Sequence, residues 1–527
     1  MLLFCCAVRI RLLDVPLERD EGEYAYAGQL LLEGVPPYRL AYNMKLPGTY
    51  AAYAAIMALL GQTPRGIHLG LLLVNVATAV LIYVSSRRLF GGATAAAAGA
   101  TFAILSLSQR VMGVFAHATH FVLLPALAGL LVLLPAVDSG RALPLLTSGV
   151  LFGTAFMMKQ HGFFFVLFAL AWLGWELLNR HARPSRIAAS CGLLLLGAAL
   201  PFVVTCLALA AASVFGSFWF WTFDYARAYV SQMPLSVGAQ VFAEAAGFVA
   251  APVWPLWILA GAGLTAPLWD RETRRHARFV TTFTLCSFLS ICPGFYFREH
   301  YFVLLLPAIA LLAASGASAA GRALARALPG PDSPRRATLA ASVAAAVMAA
   351  ALLYPVFQER TFFFDLTPRQ ASRSTYGPNP FPEAPEIAKR IEADSKPEDR
   401  VAILGSEPEI YFYAHRRSAT GHIYMYGLME NQSYARDMQR EAIREIEAAA
   451  PRFVAFVNVP QSWLARPGSD TSILTWSRGY LTEHYAVAGV ADIQSDESTV
   501  YAWGEDALRY EPRSRYVIYL FKKKMPD

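Results

Sequence analysis

The sequence predicts a polytopic α-helical membrane protein of about 11 transmembrane helices, carrying a C-terminal extracytoplasmic α/β domain. Three observations predict it. Hydrophobic residues make up 56% of the 527 positions and charged residues only 16%, where a soluble domain is about a quarter charged. Of the 83 charged residues, 45 lie in 358–527 and only 38 in the longer stretch 1–357. Apolar runs near bilayer length, for which the lower limit is roughly 17 residues, recur at about 66–86, 91–108, 117–136, 143–158, 162–179, 187–213, 247–268, 279–297, 300–320 and 337–357. The expected organisation is a membrane module over 1–357 with an outward loop at 14–65, a Pro-rich linker over 358–385, and a soluble domain over 386–527.

Orientation follows from the loops between the runs. Arg87, Arg88, Arg141, Arg180, Arg183, Arg186, Arg271, Arg274, Arg275, Arg278, Arg322, Arg326, Arg335 and Arg336 all fall on one side of the alternation. The other side holds Arg110, Lys159, Arg227 and Arg298. The positive-inside rule makes the first group cytoplasmic, so 14–65 and the C-terminal domain are expected outside the cytoplasmic membrane. An outward first loop needs a crossing before it. Residues 1–13, with Arg9 and Arg11, are too short for one, so the natural chain is expected to start further upstream.

The net charge of +7 does not indicate nucleic acid, because the basic residues punctuate apolar runs and form no continuous patch with interleaved stacking aromatics. All six cysteines lie in apolar segments, so no disulfide framework or CxxC knuckle is expected in the polar part. Phosphate-loop, dinucleotide and HExxH patterns are missing too.

Within the first loop, 22–33 and 49–60 read as short helices with interfacial tyrosines, and GVPPYRLAYNMKLPG between them reads as a sharp turn. In the tail, VAILG, RFVAFVNV and STVYAW read as strands and DMQREAIREIEAAA as an amphipathic helix.

Chemistry is suggested first by Asp20, Glu21 and Glu23 in RDEGEYAY. Adjacent carboxylates near a low dielectric raise one another's proton affinity, which suits one of them to act as a base. A solvated anionic collar is the plainer alternative. Lys159, Gln160 and His161 at one outward turn, and Arg298, Glu299 and His300 at another, offer cations to a phosphate; snorkelling and a local Arg–Glu pair are the competing readings. His117 and His120 have i, i+3 spacing, compatible with a metal but more typical of packing. Asp224 sits among aromatics that read as membrane anchors.

The acidic pair, EGEYAYAGQLLLEGVPPY, the Lys-Pro turn MKLPG, the many apolar runs and the outward tail together resemble the GT-C superfamily of glycosyltransferases. The branch most similar comprises bacterial relatives of dolichyl-phosphate-mannose protein mannosyltransferases and lipid A aminoarabinose transferases. The resemblance implies a GT-C-like fold, a polyprenyl-phosphate sugar as donor, and an extracytoplasmic acceptor that is a protein, lipid or glycan. It implies Asp20 as the group that deprotonates the acceptor hydroxyl, Glu21 as its assistant, and Lys45 as a cation for the leaving phosphate, beside Arg298 and Lys159. Glu23, Tyr38, His117, His120 and His300 are candidate acceptor or donor contacts. The aminoarabinose transferases carry a Glu before the turn lysine that is linked to a metal, whereas Met44 stands here, so a divalent ion is possible but lacks the support of a family-matching Glu. A lipid or sugar transporter and an inactive envelope scaffold are the alternatives from other classes; no matching pair of broken helices favours the transporter.

Overall fold

The computed structural model describes residues 1–329 and 333–524; the last three residues of the expected soluble domain lie outside it. Two compact units emerge, and each is built from separated stretches of chain. One contains Met1–Arg11, His68–Leu207 and Val230–Asp365, the other Leu12–Ile67, Ala208–Tyr229 and Leu366–Asp527.

The first unit is a bundle of apolar helices. Among the described residues, seven helices of the chain are long and apolar enough to cross a membrane: Pro64–Phe90, Ala118–Ser139, Gln160–Asn179, Pro184–Ala211, Leu235–Trp269, Leu306–Ala327 and Pro334–Gln358. Shorter apolar helices occupy Gly92–Leu105, Ala142–Met158 and Ala277–Leu289, where further spans were expected. The chain is thus a multi-pass membrane protein. The short Leu2–Arg11 helix is pinned to this bundle by Arg9, whose buried guanidinium donates to the carbonyls of Gly113 and Ser106 at 2.6 and 2.7 Å. Those carbonyls belong to a tight turn around Gln109–Val111 and would otherwise be buried without donors.

The second unit holds a six-stranded mixed sheet in the order β2-β1-β3-β6-β4-β5. Its strands are β1 (Arg400–Leu404), β2 (Arg417–Ser418), β3 (Phe453–Asn458), β4 (Tyr485–Ile493), β5 (Thr499–Trp503) and β6 (Val517–Lys523). The first three in space run parallel and the rest antiparallel. Helix Pro368–Tyr376 lies inside the segment expected to be a linker, and helix Ala384–Ala393 starts at its end. Thr367 and Gln370 form a capping box at the first, and buried Arg373 clamps Glu383 at 2.7 and 2.8 Å. Such a segment is folded structure, held by a capped helix and a buried ion pair inside the unit.

The loop at 14–65 belongs to this same unit. Its two expected helices form at Arg19–Leu32 and Gly48–Leu60. The first starts with a reciprocal capping box between Glu18 and Glu21. It stops in a Schellman motif, with Gly34 at φ +77° and bonds from Gly34 N–H to Leu31 O and Val35 N–H to Leu30 O. Gly22 lets this helix press against Glu409, since a Cβ there would lie 2.5 Å from the Glu409 backbone nitrogen. Aromatics expected as membrane anchors also divide: Trp219 is exposed, while Trp221 stacks on Tyr42 at 5.5 Å and Tyr225 donates to Glu430 at 2.9 Å.

Candidate active site

In the second unit the helix Arg19–Leu32 and the turn before Gly48 bring Asp20, Glu23, Tyr38 and Lys45 together. The Lys45 ammonium stands 2.8 Å from Asp20 Oδ1 and 2.6 Å from Glu23 Oε2. Glu23 is fully buried and also accepts from Tyr50 at 2.5 Å and Asn43 at 2.8 Å. Asp20 accepts a further bond from the Tyr424 hydroxyl at 2.7 Å, and its side chain keeps 23% of its exposure. Tyr38 closes the turn, donating to the Lys45 carbonyl at 2.7 Å with its own φ at +65°.

Burial alone would draw Lys45 toward its neutral form, but Asp20 and Glu23 hold its pKa above the ordinary lysine value. Burial pushes the Glu23 carboxyl upward; Lys45 opposes this and the Asp20 charge adds to it. Two carboxylates thus flank one cation, and the carboxylate that solvent can still reach is Asp20.

Three expectations are revised. Glu21 is fully buried, and its carboxylate accepts from the Glu18 backbone N–H at 3.1 Å, so its visible task is to cap the helix that carries Asp20. Glu23, placed among outward contacts, is the buried anchor of the lysine. Lys45, expected to face a leaving phosphate, has its ammonium committed to the two carboxylates and lies over the rings of Tyr24 and Tyr424. Sequence reasoning missed Asn43, Tyr50 and Tyr424. The first two flank Lys45 closely enough to have been considered; Tyr424 had no local signal.

The remaining candidates lie in the first unit. His117 stacks on His300 with ring centres 4.1 Å apart, and His300 meets Tyr301 edge-on at 4.7 Å. Tyr301 in turn contacts His161 and lies under the Lys159 ammonium at 4.2 Å. Lys159, His117 and His300 therefore form one chain of contacts, although they stand far apart in the sequence. Arg298 is exposed, with its guanidinium 5.8 Å from the Tyr296 ring. His120 departs from this group: it pairs with Asn75 at 3.2 Å within the bundle, so the i, i+3 spacing with His117 does not make a shared ligand pair. Among its described residues, neither unit by itself gathers three metal-ligating side chains.

The apolar helical bundle and the mixed-sheet unit that takes in the first loop have a GT-C-like fold. The profile of the dolichyl-phosphate-mannose-protein mannosyltransferase family matches residues 45–208. ArnT from Cupriavidus metallidurans bound to undecaprenyl phosphate is similar, with a TM-score of 0.58 at 14% identity over 98% of this chain and 97% of that one. In its apo state the same protein gives 0.55 at 17% identity over 98% and 96%. The archaeal oligosaccharyltransferase AglB from Archaeoglobus fulgidus, in complex with an inhibitory peptide and a dolichol-phosphate, gives 0.50 at 14% identity over 96% and 74%. No curated protein matches the chain. At these identities the likeness establishes the fold.

Proposed function

We propose that this protein is a membrane glycosyltransferase that moves a sugar from a polyprenyl-phosphate donor to an acceptor hydroxyl outside the cytoplasmic membrane. The observation that carries the reading is the Asp20 carboxylate, partly open to solvent and fixed by Lys45 and Tyr424. Further support comes from the matched family profile and from the polyprenyl phosphates named with ArnT and AglB.

In this reading Asp20 accepts the proton of the acceptor hydroxyl as its oxygen bonds to the sugar's anomeric carbon. The bond from that carbon to the phosphate oxygen breaks, and its electron pair leaves with the polyprenyl phosphate. Attack opposite the leaving group inverts the anomeric centre. Lys45 keeps the Asp20 carboxylate oriented until the proton arrives. Arg298 and Lys159 are assigned to the donor phosphate, whose growing charge needs cations.

The test incubates purified protein in detergent with a panel of polyprenyl-phosphate sugars and follows release of free polyprenyl phosphate. Turnover of one donor by wild type, lost in Asp20→Asn, supports the reading. Sugar-lipid movement across vesicles without any release would make the protein a transporter instead.

A further inference from the structure

Away from the candidate active-site residues, the first unit contains a cavity of about 750 Å³ at its arginine-rich loops. The end of helix Ala118–Ser139, the end of Phe163–Asn179 and the start of Pro184–Ala211 enclose it, with Val137, Asp138, Leu177, Arg180, Arg183 and Arg186 among its walls. Three guanidinium groups against one carboxylate give the wall a positive excess.

The three arginines are not equivalent. Arg180 is held by Asp138 at 2.7 Å and by Glu176 at 2.9 Å. Arg183 and Arg186 are exposed, and among the described residues neither guanidinium has an ion-pair or hydrogen-bond partner. Arg186 is nevertheless placed by the fold. It passes over Gly140, the left-handed end of the preceding helix (φ +61°), where a Cβ would lie 2.6 Å from its Nη2. Ser185 and Arg186 open the 28-residue helix Pro184–Ala211, whose N-terminal dipole adds to the positive potential. On the same helices Trp175, Leu178, Leu195 and Leu196 are exposed apolar side chains.

We infer that this cavity binds the phosphate headgroup of an anionic membrane phospholipid, with the acyl chains lying on those apolar side chains. A basic recess between membrane helices supplies the charge such a headgroup needs, and the exposed leucines and tryptophan favour a lipid over a free anion. The site is separate from the proposed transfer chemistry and does not depend on it.

The test uses the full chain in detergent, titrated with phosphatidylglycerol or phosphatidylcholine and read by native mass spectrometry and by Tm. Wild type should retain phosphatidylglycerol preferentially. A double variant, Arg183→Ala with Arg186→Ala, should weaken that binding by about fivefold per arginine, with phosphatidylcholine adducts unchanged. Arg183→Gln with Arg186→Gln keeps polar side chains and should show the same loss. Arg87→Ala with Arg335→Ala removes two positive charges elsewhere on the arginine-rich loops and should leave the preference intact. Equal loss in that control, or no preference in wild type, would overturn the inference. Inorganic phosphate that competes as well as the lipid would make the cavity a free-anion site and overturn the lipid assignment.

Discussion

The Tyr424 hydroxyl donates to Asp20 Oδ1 at 2.7 Å, joining residues 404 positions apart. The loop that carries Tyr424 precedes the helix Tyr426–Met429, and Met425 N–H is tied to the Ser406 hydroxyl at 2.9 Å. The tail thereby contributes a group that touches the candidate base. Tyr424→Phe keeps the ring and removes only the donor. A hydrogen bond to a charged group is worth about 1.5–3 kcal/mol, so transfer should fall at least tenfold while Tm stays near wild type. An unchanged rate would remove the tail from the chemistry.

Glu23→Gln should be damaging, against the expectation for a solvent-facing residue. Its carboxylate is wholly buried and receives Lys45, Tyr50 and Asn43. Removing one partner of a buried ion pair costs about 3–5 kcal/mol, and the amide would also aim an N–H at one of three donors. Expression yield and Tm should fall together, with activity lost in proportion. A variant as stable as wild type would show that Asp20 alone suffices to hold Lys45.

Much of this was legible in the chain. Apolar runs of bilayer length and the concentration of charge after 358 gave the bundle and the sheet unit, because burial in lipid and folding in water demand different compositions. The first loop was readable for a local reason: its helices are set by neighbours, a capping box at Glu18 and Glu21 and a glycine stop at Gly34. Strands β4 and β6 were passed over. β6 lies in the middle of the sheet, and its hydrogen bonds to β3 and β4 reach back to residues 453–458 and 485–492. Pairing of that kind leaves no local pattern. Glu21 and Glu23 failed similarly, since period alone cannot say which of two carboxylates caps a helix and which is buried on a lysine 22 residues away.

Glu409 should make stability depend on pH. Both its carboxylate oxygens are buried without a hydrogen-bond partner, where its helix meets Gly22. Burial, with the charges of Glu407 and Glu18 adding and Arg19 opposing, holds its pKa well above the ordinary carboxylate value. A raised pKa means the folded state binds the proton more tightly. The stability Glu409 contributes is therefore complete below its unfolded value, about 4.3, and is lost as pH climbs toward the folded value. Glu409→Gln is neutral throughout, so the difference in Tm between variant and wild type should grow in the variant's favour as pH rises. A constant or shrinking difference would mean that Glu409 is ionised and solvated by water.

Orientation can be read with single cysteines, because all six native cysteines lie in the first unit. Ser433 and Ser495 are exposed on the sheet unit. In a cysteine-free background, Ser433→Cys and Ser495→Cys should react with a membrane-impermeant reagent in spheroplasts. Reaction only after lysis would reverse the arginine-based assignment.

Asp20 and Lys45 are separable by substitution, although they share a bond. Asp20→Asn keeps an acceptor for Tyr424 and leaves Lys45 paired with Glu23, so the fold should persist while the proton acceptor is gone. Loss of a general base lowers rate by about 10² to 10⁴, and Tm should move little. Lys45→Ala acts on the other side of the pair. It strands Glu23 in its buried pocket with only Tyr50 and Asn43 as donors, so stability should drop as well as turnover. Arginine at 45 should recover only part of both, because its planar fork is larger than the ammonium that fits between two carboxylates here. Turnover and Tm measured on the three variants form the decisive set. Asp20→Asn with near-normal transfer would remove it as the base, and Lys45→Ala with intact Tm but no turnover would return the lysine to the leaving phosphate.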